Sequence, residues 1–400
     1  MDLYRRQRSA GDRSQFAVDR PYVDRPGEGV GSPVGGTRGS AARLSLPALR
    51  GGSGPRLADA VRLAVHAGSD RFSTLAPHAR VVEAPAAIAR RPARLAWEQT
   101  GLPALVGDVR ATVLHSPHYT LPLRAGVPVC VTLHDATFFT ASRLHTAGKA
   151  GFFQAASWLA ARRATRCIVP SQATRRELAR VVHADLDRVD VVPHGVDPAL
   201  FRPPTSEEIA AARRALRLDG VDYIAFLGTL EPRKNVPALI RAWVRAVRDR
   251  ERPPALVLAG GLGWDVRVAA EAARVPSHLR LLQAGYLDLD HLRGFLGGAV
   301  VVAYPSLGEG FGLPVLEAMA CRAPVLTTQR LALPEVGGNA VAYTEPDTAS
   351  IAAALGALLD DAALRAAVAA AGLARSARFT WAASAGAHLE SYGRAASEGS

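Results

Sequence analysis

Lysine is nearly absent from this chain. Lys149 and Lys234 stand among 48 basic residues, and arginine supplies the rest. Cysteine is scarce as well. Cys130, Cys167 and Cys321 form no CxxC pair and no metal-ligand spacing, which excludes a disulfide framework and a zinc module and predicts buried free thiols. No apolar run reaches the ~18 consecutive residues of a transmembrane helix. Met1 to Arg25 is polar and charged, so no secretory signal peptide is expected and a cytoplasmic location follows as the expectation. Zinc-finger spacing, an aromatic-basic RNA signature and basic heptads are also missing. The net charge of +12 therefore does not read as nucleic-acid binding. It fits a composition rich in Ala, Arg, Gly and Pro, with weak attraction to anionic lipid at the inner face of the cell membrane as the secondary expectation.

What is present is regular. Hydrophobic residues make up 48% of 400, enough for more than one core. Residues 1–55 are Gly-, Arg- and Ser-rich with little periodicity and are expected to be poorly ordered. Beyond them, twelve short apolar runs alternate with Ala/Leu/Arg helices, from Val61–His66 to Ala340–Tyr343. Strands apolar throughout and separated by helices predict parallel sheets covered on both faces. Twelve exceed one comfortable open sheet. The expectation is an α/β fold of two doubly wound, Rossmann-like domains facing across a cleft, residues 56–200 and 201–380, joined at the polar stretch Asp197–Pro204. Residues 381–400 form a last helix expected to pack back on the first domain.

Three segments could carry chemistry. The strongest is Glu309-Gly310-Phe311-Gly312-Leu313-Pro314-Val315-Leu316-Glu317, between the strand Val300–Tyr304 and a helix. Its glycines let backbone approach a ligand, and Pro314 suits a first helical turn. The N–H groups at Gly312–Val315 would be free at the positive end of the helix dipole, an anion site suited to a diphosphate. Glu309 in the loop and Glu317 one turn into the helix could accept from a sugar hydroxyl and from ribose. A glycine turn with a dipole-complementing glutamate would leave a similar trace.

The second segment is Leu227-Gly228-Thr229-Leu230-Glu231-Pro232-Arg233-Lys234-Asn235, again between strand and helix. Gly228 allows close approach. Arg233 and Lys234 could stabilise a leaving diphosphate without a metal, and no DxD pair ends a strand, so no cofactor and no metal is expected. A solvated basic helix start is the plainer reading, but a basic pair there opposes the helix dipole unless an anion binds. The third segment is Val131-Thr132-Leu133-His134-Asp135, at a strand's carboxyl end. His134 could bond a donor sugar or phosphate, with Asp135 orienting it; a structural histidine would look the same.

These segments resemble the retaining glycosyltransferases of family four, the GT-B group of bacterial mannosyl- and glucosyltransferases. The likeness also includes His115-Ser116-Pro117, Pro170–Thr174, Val191–Asp197, Gly261–Trp264 and Leu333–Val336, in the family's order over residues 95 to 390. The resemblance implies a retaining, metal-independent hexosyltransferase that moves a mannose- or glucose-type sugar from a nucleotide-diphosphate sugar. The acceptor would be a glycan, glycolipid or small molecule, as in polysaccharide biosynthesis. Arg233 and Lys234 would hold the diphosphate, Glu309 the transferred sugar, Glu317 the ribose, and His134 the sugar or phosphate. Gly228, Gly310, Phe311, Gly312 and Leu313 would line the donor site. No nucleophile is implied.

One part departs from the family. The opening strand and Gly-rich acceptor loop are not found in residues 2–33; Val34-Gly35-Gly36-Thr37 is the candidate for that loop. The departure motivates an alternative function, a catalytically weak nucleotide-sugar-binding partner subunit with a degenerate acceptor domain. A phosphorylase would need a pyridoxal lysine, and Lys149 sits in no convincing site for one.

Overall fold

The structure, a computed structural model, describes residues 62–66, 80–140, 142 and 147–398. The segment 1–55 and the candidate acceptor loop at Gly35, Gly36 and Thr37 lie outside the described residues. The described chain divides into two compact units. One holds residues 62–66, 80–140, 147–193 and 382–398, and the other holds residues 142 and 194–381.

In the first unit, β1 (Arg62–His66) and β2 (Arg80–Ala84) pair in parallel, with Arg62 opposite Arg80. Helix α1 (Arg91–Asp108) leads to β3 (Leu114–Ser116), β4 (Val129–Thr132), α2 (Thr137–Thr140), α3 (Ala147–Arg163), β5 (Arg166–Val169), α4 (Gln172–Val182) and β6 (Val189–Val191). The strands β3 to β6 form a parallel sheet in chain order. No described strand joins this ladder to β1 and β2. Both β4 and β5 are buried at every position, as a doubly covered parallel strand must be. Helix α1 is not predicted from the sequence because Gly101 and Pro103 interrupt its pattern, and Pro103 does lie inside the helix.

One charge inside this unit is organised around the carboxyl-terminal helix. Arg166 on β5 is buried and forks onto Asp190 of β6 at 2.6 and 2.8 Å, and it also bonds Glu398. Arg394 reaches the same Asp190 at 3.0 Å. The Tyr392 hydroxyl and His115 Nδ1 lie 2.8 Å apart, while His115 Nε2 meets Thr132 Oγ1. Burial, with His388 and His134 nearby, pushes the imidazole of His115 down to about 3, so it stays neutral. Residues 382–398 are thus held to β3, β5 and β6 by polar contacts as well as by packing. The three cysteines are free and buried, and burial pushes each thiol up to about 12.

The second unit starts with α5 (Ser206–Ala215), β7 (Tyr223–Leu227), α6 (Val236–Val247), β8 (Ala255–Ala259), α7 (Arg267–Ala272) and β9 (Leu281–Gly285). It continues with α8 (Leu289–Gly297), β10 (Val301–Tyr304), α9 (Leu313–Ala320), β11 (Val325–Thr328), α10 (Leu333–Gly337) and β12 (Ala342–Thr344). Helices α11 (Thr348–Asp360), α12 (Ala362–Ser376) and α13 (Trp381–Glu398) close the chain. The chain leaves the first unit at Pro193, ahead of the expected Asp197–Pro204 linker. That stretch is packed: the Phe201 N–H donates to the Asp197 carbonyl at 2.8 Å and its ring is buried in the core. Helix α5 follows at once. Its capping box, Thr205 with Glu208, is a start signal legible in the residues and missing from the sequence-based expectation.

The six strands lie in the order β12-β11-β10-β7-β8-β9, all parallel. The chain starts in the middle at β7, winds outward to β9, then returns to β10 beside β7. That reversal sets the loops after β7 and β10 side by side at the carboxyl ends of the strands, the place where such sheets bind ligands in a crevice. Every residue of β7, β8 and β10 is buried. No helix among the described residues is long and apolar enough to cross a membrane.

The loops at these strand ends touch backbone to backbone. The Gly228 N–H donates to the Ala259 carbonyl at 2.9 Å. Gly260 has φ of +128°, and a Cβ there would lie 2.3 Å from the Gly228 carbonyl oxygen. A side chain would force the two loops apart and strain the backbone. Gly260→Ala should therefore cost ~1–3 kcal/mol, measured by urea denaturation. A variant as stable as the wild type would show that the contact sets nothing.

Candidate active site

Glu309 is the centre of the crevice. Its carboxylate is 7% exposed and takes hydrogen bonds from four side chains. Oε1 accepts from Lys234 Nζ at 2.8 Å, Tyr304 OH at 2.9 Å and Ser306 Oγ at 2.6 Å. Oε2 accepts from Arg233 Nη1. Lys234 also donates to the Tyr304 hydroxyl, and Arg233 Nη2 pairs with Glu231 at 2.6 Å. Two cations and two carboxylates thus sit in one buried cluster. Burial alone would raise the Glu309 carboxyl, but Arg233 and Lys234 more than offset it and hold it at about 2. Burial and the neighbouring Arg233 push Lys234 the other way, below its ordinary value, against the pull of Glu309 and Glu231.

Local chain geometry brings these groups together. After β7 the chain makes a short 3-10 turn, Pro232–Lys234, and Asn235 adopts a left-handed conformation with φ of +59°. Its amide donates to Pro346 and Pro305 carbonyls at 2.7 and 3.3 Å, pinning the turn to the loop after β10. The Leu307 N–H donates to the Arg233 carbonyl at 2.8 Å, and Arg233 Nη1 returns a bond to the Gly308 carbonyl at 2.8 Å. The two loops are laced together along their length. The Lys234 side chain is buried, so the solvated basic helix start is not what forms.

The Gly-rich loop then enters α9. Gly312 has φ of +108°, a conformation that favours glycine, and no side chain caps the helix. The anion site is narrower than its sequence suggests. Pro314 carries no N–H, and Val315 donates to the Gly312 carbonyl at 3.0 Å. The N–H groups of Phe311, Gly312 and Leu313 donate to no described group. Phe311 packs edge-on against His194 at 5.0 Å between ring centroids, which steadies the loop. Glu317 lies one turn further along α9, half-buried and without a charged partner, and burial raises its carboxyl to about 7.

His134 lies in the first unit, just past β4. Its Nε2 donates to the Pro117 carbonyl at 2.8 Å, and its ring stands 5.7 Å from His118 and 5.8 Å from Tyr119. Asp135 does not hold the imidazole: its Oδ1 accepts from the Thr137 N–H and hydroxyl at 2.9 and 2.7 Å and starts α2. Within the second unit, Gly228, Arg233, Lys234, Glu309, Gly310, Phe311, Gly312, Leu313 and Glu317 all belong to the loops and helix at the switch point. Tyr304, Ser306 and Glu231 complete the cluster and were not foreseen. A tyrosine ending an apolar strand was the available signal, since a buried hydroxyl needs a partner. Among the described residues no group of three His, Cys, Asp or Glu side chains is arranged to hold a metal ion.

A six-stranded Rossmann-like sheet with a buried Arg233–Lys234–Glu309 cluster at its switch point, and a second parallel-sheet unit in the same chain, is the architecture of GT-B glycosyltransferases. Residues 55–200 match the family model described as Glycosyltransferase Family 4, and residues 221–361 match Glycosyl transferases group 1. The chain is 30% identical over 295 residues to O-antigen chain mannosyltransferase B of Escherichia coli, covering 72% of this chain and 74% of that protein. It is 35% identical over 255 residues to D-inositol 3-phosphate glycosyltransferase of Kineococcus radiotolerans, covering 58% of each. HepE of Anabaena, solved in complex with UDP-glucose, superposes with a TM-score of 0.64 at 18% identity, over 82% of this chain and 90% of that one. The chain belongs to glycosyltransferase family 4.

The unpaired Glu317 has a consequence for stability. Its folded-state value is raised, so the protonated form favours the fold at low pH. That contribution is present below the ordinary glutamate value and is lost as pH rises through about 7. Glu317→Gln should therefore melt higher than the wild type at pH 8, and the gap should close towards pH 4. A gap independent of pH would contradict the raised value.

Proposed function

We propose that this glycosyltransferase moves a mannose- or glucose-type hexose from a nucleoside-diphosphate sugar to a glycan, lipid-linked or small-molecule acceptor, with retention and without a metal ion. The observation that carries the reading is the buried pairing of Glu309 with Arg233 and Lys234 at the switch point. The mannosyltransferase name of the Escherichia coli relative supports a hexose and a polysaccharide setting.

The reaction needs charge placed where charge develops. As the glycosidic bond breaks, the diphosphate gains negative charge and the sugar gains positive charge. Lys234 has one N–H left after serving Tyr304 and Glu309. With the N–H groups of Phe311, Gly312 and Leu313 it offers donors to the leaving phosphate. Glu309 has its lone pairs committed except for one on Oε2, which makes it a poor nucleophile but a fixed negative charge beside the ring. This favours electrostatic stabilisation over a covalent sugar–enzyme intermediate. The leaving phosphate can take the acceptor proton. Glu317 as a carboxylate can accept from ribose, so donor affinity should rise with pH through about 7. His134 is proposed to meet the donor sugar or its phosphate.

Lys234→Ala and Arg233→Ala should each lower kcat/KM by ~10²–10³ in protein verified as folded. Near-wild-type turnover in both would overturn the assignment. Glu309→Gln should lower kcat more than it weakens donor binding, whereas Glu317→Gln should mainly raise the donor KM and flatten its dependence on pH. UDP- and GDP-sugars can be screened by thermal shift, since a ligand at ~100 times its Kd adds ~2.7 kcal/mol. Chelator should leave turnover unchanged; loss with chelator and recovery with magnesium or manganese would refute metal independence. Donor hydrolysis without acceptor separates an enzyme from a weak binding subunit.

A further inference from the structure

Helix α3 carries apolar side chains on two sides. Phe153, Ala156 and Ala160 pack into the core of the first unit. On the solvent side, Phe152 is 43% exposed and Trp158 is 48% exposed. Positions 148, 152, 155, 158 and 162 recur at helical spacing, so Gly148, Phe152, Ala155, Trp158 and Arg162 form one exposed stripe. A helix that only had to cover its core would not present two large rings there.

The charge beside those rings has one sign. The Arg162 guanidinium lies over the Trp158 ring, 3.9 Å from its centroid, and both Arg162 and Arg163 are exposed. Between Ala147 and Arg163 the helix bears Lys149, Arg162 and Arg163 and no acidic residue. Aromatic rings enter the headgroup layer of a bilayer, and arginines beside them pair with lipid phosphates. A second copy of the chain is the competing occupant. A two-fold antiparallel contact through this stripe would bring Arg162 and Arg163 to the Lys149 end of the other copy, with no acidic side chain on the helix to pair them, which opposes it. We propose that the exposed face of α3 docks the protein on an anionic lipid surface. The inference deepens the lipid-linked-acceptor reading above, yet its test does not depend on sugar transfer.

Flotation of the full chain with vesicles measures it directly. Vesicles of phosphatidylcholine alone are compared with vesicles of two parts phosphatidylcholine to one part phosphatidylglycerol. Wild type should float with the mixed vesicles and much less with the neutral ones. Arg162→Gln and Arg163→Gln should each weaken that binding about fivefold, and Phe152→Ser with Trp158→Ser should weaken it at least about tenfold. Each variant is first shown to melt cooperatively, because Phe152 also packs edge-on against Phe153 and Arg162 also bonds the Val182 carbonyl at 3.4 Å. Wild type that ignores both vesicles, or a ring-less variant that floats equally well, overturns the proposal. So does a dimer in sedimentation velocity that Phe152→Ser with Trp158→Ser disperses, which would assign the face to a second copy.

Discussion

A carboxylate buried in protein is tolerated only when cations and hydrogen-bond donors replace its water, and Glu309 meets that condition through Arg233, Lys234, Tyr304 and Ser306. Much of the second unit's crevice depends on this requirement. The loop after β7 must turn sharply to bring Arg233 and Lys234 inward, which is why Asn235 is left-handed and why Leu307 bonds back to Arg233. The loop after β10 must stay low over the sheet, which Thr328 secures by donating from its hydroxyl to the Ser306 carbonyl at 2.6 Å. The same fixed charges that stabilise the cluster are those that the proposed function assigns to a leaving diphosphate and an electron-poor sugar.

The cluster also explains why the site can be preorganised without being overpaired. Two cations and two carboxylates nearly cancel, so the crevice does not repel itself. The remaining donors, one on Lys234 and three on the backbone at Phe311–Leu313, suit an anion. Glu317 differs from Glu309 only in its surroundings. Without a cation beside it, burial holds its carboxyl near neutral pH, whereas Glu309 stays fully ionised.

Much of this was legible in the residues. Runs such as Ala255–Ala259, apolar at every position, could only be covered parallel strands, and the structure has that strand with the same limits. Helix α9 starts where Pro314 indicated. The strand order was not legible, because alternation of strands and helices does not say which way the chain winds. Helix α1 was hidden by Gly101 and Pro103, and α5 by the prolines ahead of its capping box. Tyr304 and Ser306 were hidden for another reason. Tyr304 stood at the end of an apolar strand and Ser306 in the loop behind it, and the partner that gives both meaning, Glu309, is recognised only once the fold turns the loop back over them.

The central claim is that Lys234 and Glu309 act as one unit, and a double-mutant cycle in urea tests it most directly. Lys234→Met and Glu309→Gln should each cost on the order of 3–5 kcal/mol, because each leaves a buried charge short of its partner. The double variant removes both charges together. It should lose less than the sum of the two, with a coupling of ~0.5–3 kcal/mol. Strictly additive losses would mean that the two side chains stabilise the crevice independently, and would contradict a site built on their pairing.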